Sequence, residues 1–139
     1  MKYLLDTCVL SEYRQPKPNP EVLAYLESLN SLHFFISAIT VGEITKGVKR
    51  LEDGKRKQAF EHWLNELESD YAGRILPVST NVARLWGELL AKAHQQGIGL
   101  PAIDGLIAAT AMHHGLHLIT RNVNDFQSTG ALLINPWEL

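Results

Sequence analysis

Apolar residues in this chain occur in two recurring patterns. Short continuous runs are centred on Tyr3-Leu4-Leu5, Phe34-Phe35-Ile36, Ile75-Leu76, Leu118-Ile119 and Ala131 to Ile134. Each reads as a buried strand of the kind found in parallel sheets. Between them lie longer stretches with apolar residues at helical spacing. Cys8 to Tyr13 can form a short helix, stopped before Pro16, and Gln15 to Pro20 is a proline-rich loop. Asn19 is a good N-cap and Pro20 a good first residue for a helix over Glu21 to Leu29, with Val22, Tyr25, Leu26 and Leu29 on one face. A helix opening at Ser37-Ala38-Ile39-Thr40 and another from about Lys55 to Asp70 form a helical hairpin broken at Asp53-Gly54.

The third strand carries Pro77, which suits an edge position. Ser79 or Thr80 caps the next helix, with Ala83, Trp86, Leu89, Leu90 and Ala93 turned inward and Gly97 closing it. The helix from Ala102 to His114 is apolar nearly all round, so it should be buried. Arg121 to Gly130 is rich in turn residues. Strands alternating with helices predict an α/β fold built on a parallel sheet.

Composition narrows the class. A chain of 139 residues fits one domain, here 1–139. Apolar residues make up 45%, charged residues 20%, and the net charge is −2, a soluble balance without the bulk basicity that advertises nucleic-acid binding. No run approaches the roughly 20 apolar residues of a membrane span, and there is no secretory leader pattern. One cysteine, Cys8, cannot form an internal disulfide, so the expected compartment is a reducing cytoplasm.

Four carboxylates carry the candidate chemistry. Asp6 ends the first strand, where its ordinary role is to cap the following helix. Glu43 completes Thr40-Val41-Gly42-Glu43, the pattern of a capping box with Thr40 as the cap. Asp104 lies in the first turn of the apolar helix, where the helix dipole favours it by at most about 1–2 kcal/mol. No lysine or arginine lies within four residues of it, and an unpaired buried carboxylate costs several kcal/mol. Asp125 follows the fourth strand in a turn-like segment. Strand ends and helix starts share one edge of a parallel sheet, so all four are expected at one rim. There they would repel one another unless cations neutralised them, and hard oxygen ligands select Mg²⁺ or Mn²⁺.

The blocks Leu4-Leu5-Asp6-Thr7-Cys8-Val9-Leu10-Ser11-Glu12, Ser37 to Glu43, Asp104-Gly105-Leu106-Ile107-Ala108-Ala109-Thr110-Ala111, Thr120 to Phe126 and Asn135-Pro136-Trp137 together resemble the PIN domain. Within that family they are similar to the VapC-like toxins of bacterial toxin–antitoxin pairs, in the FitB-like branch. The resemblance implies a three-layer fold with a five-stranded parallel sheet of order 3-2-1-4-5 flanked by helices. It also implies an Mg²⁺- or Mn²⁺-dependent endoribonuclease restrained by a small DNA-binding antitoxin, through which alone it would reach operator DNA.

By the same resemblance Asp6, Glu43 and Asp104 are family acids, with Asp6 and Asp104 the direct metal ligands. Thr7 and Thr120 are hydroxyls that orient them. Many members carry asparagine where this chain has Cys8, which is read as a packing residue. Some carry an acid where it has Asn122, which leaves Asp125 as the fourth carboxylate. The alternative is a catalytically weak PIN domain acting mainly within an antitoxin–DNA regulatory complex. A flavodoxin-like phosphoacceptor lacks its acidic pair and its lysine here.

Among cations, Lys46, Lys49 and Arg50 form a helical stripe, followed by Lys55-Arg56-Lys57. The stripe suits a solvated face or an RNA grip, and Arg121 is the cation expected nearest the scissile phosphate. The six histidines form no zinc motif, and Trp63 and Trp86 read as core or interface residues. Leu10 and Tyr13 are expected to be left over for an antitoxin helix or β-like segment, or for a second subunit in a homodimer.

Overall fold

The computed structural model describes residues 1–139, and its sheet has the order β3-β2-β1-β4-β5. The strands are β1 (Tyr3–Leu5), β2 (Phe34–Ser37), β3 (Ile75–Leu76), β4 (His117–Ile119) and β5 (Leu133–Ile134). Every pairing is parallel, with Tyr3 beside Phe34 on one side and His117 on the other. Parallel strands need crossover connections, and helices supply them. These are α1 (Thr7–Glu12), α2 (Pro20–Glu27), α3 (Ala38–Lys49), α4 (Lys55–Asp70), α5 (Thr80–Gln95), α6 (Ala102–His113) and the single turn α7 (Val123–Phe126).

Alternation along β1 divides the core in two. Tyr3 and Leu5 face a layer formed by α1 to α4, including Val9, Leu10, Val22, Leu26, Ile44, Val48, Leu64 and Leu67. Leu4 faces the opposite layer with Val82, Leu89, Ile107, Ala108, Ala111 and Phe126 from α5, α6 and α7. This is the expected three-layer α/β architecture, with α3 and α4 packed as the hairpin. The Asn19 side chain caps α2 by accepting from Glu21 N and Val22 N, with Pro20 in the first turn. Gly97 and Gly115, with φ of +68° and +65°, close α5 and α6 in the left-handed region that glycine alone enters freely.

Several local expectations change. The cap of α3 is Ser37, whose hydroxyl accepts from Ile39 N, so Thr40 lies inside the helix and no capping box forms. Glu43 therefore stands beyond the first turn. Leu10 is buried in the core, whereas Tyr13 remains exposed. The inward face of α5 runs through Val82, Leu89 and Ala93 with Leu85 and Trp86 beside it. The turn-rich segment contains α7, and Asp125 lies in its first turn.

Gly105, next to Asp104, sets how closely α6 approaches α5. A Cβ there would lie 2.9 Å from Trp86 Cδ1, and the Trp86 indole N–H already donates to the Ala102 carbonyl at 3.1 Å. Gly105→Ala gains about 0.5–1 kcal/mol of helix propensity but incurs overpacking of about 1–3 kcal/mol. Net destabilisation is expected as a lower urea midpoint with unchanged m-value; an equal or higher midpoint would show that Trp86 moves aside freely.

Candidate active site

The first strand delivers Asp6 to the carboxyl edge of the sheet, directly beside the end of β4. Asp6 caps α1 and is a focus of donors at once. Its Oδ1 accepts from Thr7 N at 2.9 Å, and its Oδ2 accepts from the Thr120 hydroxyl at 2.8 Å. Asp6 and Thr120 are both buried. The same Thr120 oxygen accepts from Asn122 N at 3.0 Å, so the hydroxyl is engaged in both directions.

Cys8 closes this network. Its Sγ lies 3.7 Å from Asp6 Oδ2 and 3.7 Å from Thr120 Oγ1, and accepts from Arg121 N at 3.5 Å. Burial, then the neighbouring Asp6 charge, push its thiol pKa up, which keeps it protonated. It packs against the core, as expected, and also joins the polar contacts.

Glu43 comes from α3. With no capping-box role available, its Oε1 accepts from the Thr7 hydroxyl at 2.8 Å. One residue thus fixes two acids: the Thr7 amide holds Asp6 and the Thr7 side chain holds Glu43. Asp104, half-buried at the start of α6, makes no hydrogen bond to another protein group and has no ion-pair partner. Its carboxyl is pushed up to about 6, by partial burial first and then by the charges of Asp125, Asp6 and Glu43. Burial also raises Asp6, partly offset by its donors from Thr120, Thr7 and Cys8, while the Asp125 charge adds to the rise. These mutual effects place the four acids in one electrostatic neighbourhood. No lysine or arginine is paired with any of them.

Other expected site residues are placed differently. Arg121 is exposed, and its guanidinium lies over the Trp137 ring, 5.4 Å from the centroid. Asn122 is exposed and contributes its amide to Thr120. Lys49 is paired with Glu61 at 3.5 Å, and Arg50 borders a depression at the α3–α4 turn. Lys46 shares a surface depression with Glu43 and Ile103, beside the acids. Sequence reasoning missed the cleft lined by Thr7, Glu43, Arg56, Phe60 and Trp63, which opens from the acids between α1 and the hairpin.

No three Asp, Glu, His or Cys side chains gather tightly enough to enclose an ion by themselves. The donor set nevertheless fits a hard divalent cation. It is all oxygen and lacks a basic partner, and Mg²⁺ binds through one or two carboxylates while keeping its waters. Asp6 is pre-ordered by its donors, so it would present a fixed oxygen to such an ion, while Glu43 and Asp125 are exposed, with room to adjust.

An acid-rimmed parallel sheet of order 3-2-1-4-5 defines the class. The PIN domain family model matches residues 3–132, and the chain belongs to the PIN-domain family. Toxin FitB of Neisseria gonorrhoeae is 40% identical over 96% of this chain and 97% of its own. VapC ribonuclease Y4jK of Sinorhizobium fredii is 38% identical over 97% of each chain. The structure of FitAB bound to an IR36 DNA fragment superposes with a TM-score of 0.93 at 38% identity, covering 99% of this chain and 96% of the other.

Asp104 allows a test that needs no substrate. A carboxyl raised from 3.8 to about 6 favours folding only while protonated. That contribution is full below pH 4 and is lost as pH rises through about 6. Asp104→Asn removes the charge at every pH, at the expense of a small dipole interaction worth about 0.3–1 kcal/mol. In metal-free buffer the variant should melt a few degrees above the parent at pH 7.5 and level with it near pH 4. A variant that melts lower at pH 7.5 would show that Asp104 is not electrostatically strained.

Proposed function

We propose that this chain is the toxin of a toxin–antitoxin pair and acts as an Mg²⁺- or Mn²⁺-dependent endoribonuclease that hydrolyses RNA phosphodiesters. The observation that supports this reading is the set of four acids on the carboxyl edge, where partial burial and then the charges of the other three push Asp104 up to about 6, yet none has a basic partner. A purely structural acid would have acquired a lysine or arginine, because unpaired carboxylates in one neighbourhood destabilise the fold. Relatives named ribonuclease and toxin support the same reading.

Asp6 and Asp104 are the direct metal ligands, with Glu43 and Asp125 completing the set. When bound, the metal offsets phosphate charge and acidifies the attacking water. The chain's own contribution is placement. Thr120 and Thr7 N fix the two oxygens of Asp6, the Thr7 hydroxyl fixes Glu43, and Cys8 ties the first of these contacts to the backbone of Arg121. Lys46, beside Glu43, is positioned to draw a phosphate strand toward the acids. Partners are RNA, a cognate antitoxin and a second copy of the chain. The relative FitAB was solved on DNA, which favours a second, compatible role in an antitoxin–DNA complex. No helix is long and apolar enough to cross a membrane.

Asp104→Asn is expected to lower RNA cleavage by at least about 100-fold, the scale for losing a group that stabilises the transition state. Its circular dichroism should match the parent. Mg²⁺ or Mn²⁺ should raise the parent's Tm and leave the variant's nearly unchanged, and chelation should stop cleavage until either ion is restored. Full cleavage by the variant, or activity that survives chelation, would reject the assignment.

A further inference from the structure

Two guanidiniums converge in the cleft beside the acids without meeting any carboxylate. Arg14, just after α1, lies over the Phe60 ring at 5.0 Å and the Trp63 ring at 5.8 Å. Arg56, in the first turn of α4, lies over the same Phe60 ring at 5.7 Å. Phe60 and Trp63 pack edge to face, 6.2 Å apart. The salt bridges of the molecule involve Lys49, Lys57 and His62, and neither arginine takes part in one.

Like charges held close cost free energy, and here the aromatic rings hold them in place. Stacked guanidiniums are already ordered, so little rotamer freedom remains to be lost when an anion arrives. Their planar forks match phosphate oxygens in pairs. Position adds the second argument. A single cleft of about 280 Å³ is lined by Thr7 and Glu43 together with Arg56, Phe60 and Trp63. A second depression continues past Ser11 to Arg14. The cations nearest in sequence are otherwise engaged or elsewhere: Lys57 is paired with Asp53 at 3.0 Å, and Lys55 borders the α3–α4 turn.

We propose that Arg14 and Arg56, ordered on Phe60 and Trp63, form a clamp for the backbone phosphates of single-stranded RNA flanking the bond presented to the acids. The substrate class rests on the ribonuclease reading; the convergence of two unpaired cations does not. In this arrangement the acids and their metal take one phosphodiester while the clamp takes its neighbours along the same strand. The cleft then sets the direction in which RNA runs across the site. It also explains how a chain of net charge −2 can hold a polyanion without an excess of basic residues.

The test compares Arg14→Gln/Arg56→Gln with a control, Arg84→Gln/Lys92→Gln, that removes the same charge from exposed positions of α5, in the layer on the other side of the sheet. Both are made in the full chain carrying Asp104→Asn, in Mg²⁺, and binding of a short fluorescent single-stranded RNA is followed by anisotropy across salt concentrations. With roughly 0.7 in slope per phosphate on single strands, losing two contacts should flatten the log K against log salt line by about 1.4. The control should change it far less. Arg14→Lys/Arg56→Lys keeps the charge and should keep most of the slope, while melting curves report folding for each variant.

Equal flattening in the two glutamine pairs, or none in either, overturns the clamp. A poly-glutamate peptide that binds as tightly as RNA and loses as much in the Arg14/Arg56 pair would reassign the cleft to an acidic protein segment. Cleavage surviving in the Asp104→Asn background would count against the acids instead, and the salt slopes, repeated in chelator, would still judge the clamp.

Discussion

A carboxylate at the end of a buried strand persists only while something donates to it, and the molecule is built around meeting that demand at Asp6. The donors come from opposite directions: the amide of the next residue, the hydroxyl at the end of the adjacent strand, and a thiol on the next turn. Pairing of β1 with β4 is what brings the hydroxyl within reach. The sheet order is therefore more than a framework for the site. It supplies the hydrogen bond that makes a buried acid tolerable there.

The remaining acids are treated differently, and the contrast has physical content. Glu43 is tethered by one hydroxyl, while Asp104 has no internal donor and bears the charge of its neighbours. One site thus combines a pre-ordered acid, Asp6, with an unpartnered one, Asp104. The strain falls in the first turn of α6, whose remainder is deeply buried through Ile107 to Ala111 and is well able to carry it. On the far side of Thr7, the hairpin turns Phe60, Trp63 and Arg56 toward the same opening, and Arg14 joins them from just after α1. The acids and the two arginines then lie along one continuous opening.

Much of this was legible in the residues. Continuous apolar runs gave the strands, and Asn19-Pro20 and the bounds of α4 followed from capping and periodicity. The buried helix bearing Asp104 declared itself by being apolar on nearly every side. What was hidden depended on competition or on distance. Thr40 to Glu43 satisfied the capping-box pattern, but Ser37 captured the cap first and left Glu43 to find Thr7. Asparagine-rich turn chemistry concealed α7. Leu10 looked spare because a six-residue helix shows too little periodicity to reveal which side is inward. The pairing of Arg14 with Arg56 leaves no local signal, because it exists only once α1 and α4 have packed.

The bond between Thr120 and Asp6 joins residues 114 positions apart. Chains emerge from the ribosome amino end first and can begin folding before synthesis is complete. Asp6 is made 114 residues before its hydroxyl donor, and its strand partner β4 is made just ahead of that donor. The acid edge therefore cannot assemble until the chain has been made through Thr120. Until that stretch has been made, Asp6 has no strand-end hydroxyl to accept from, so burial of its carboxylate waits on the closing of a long loop.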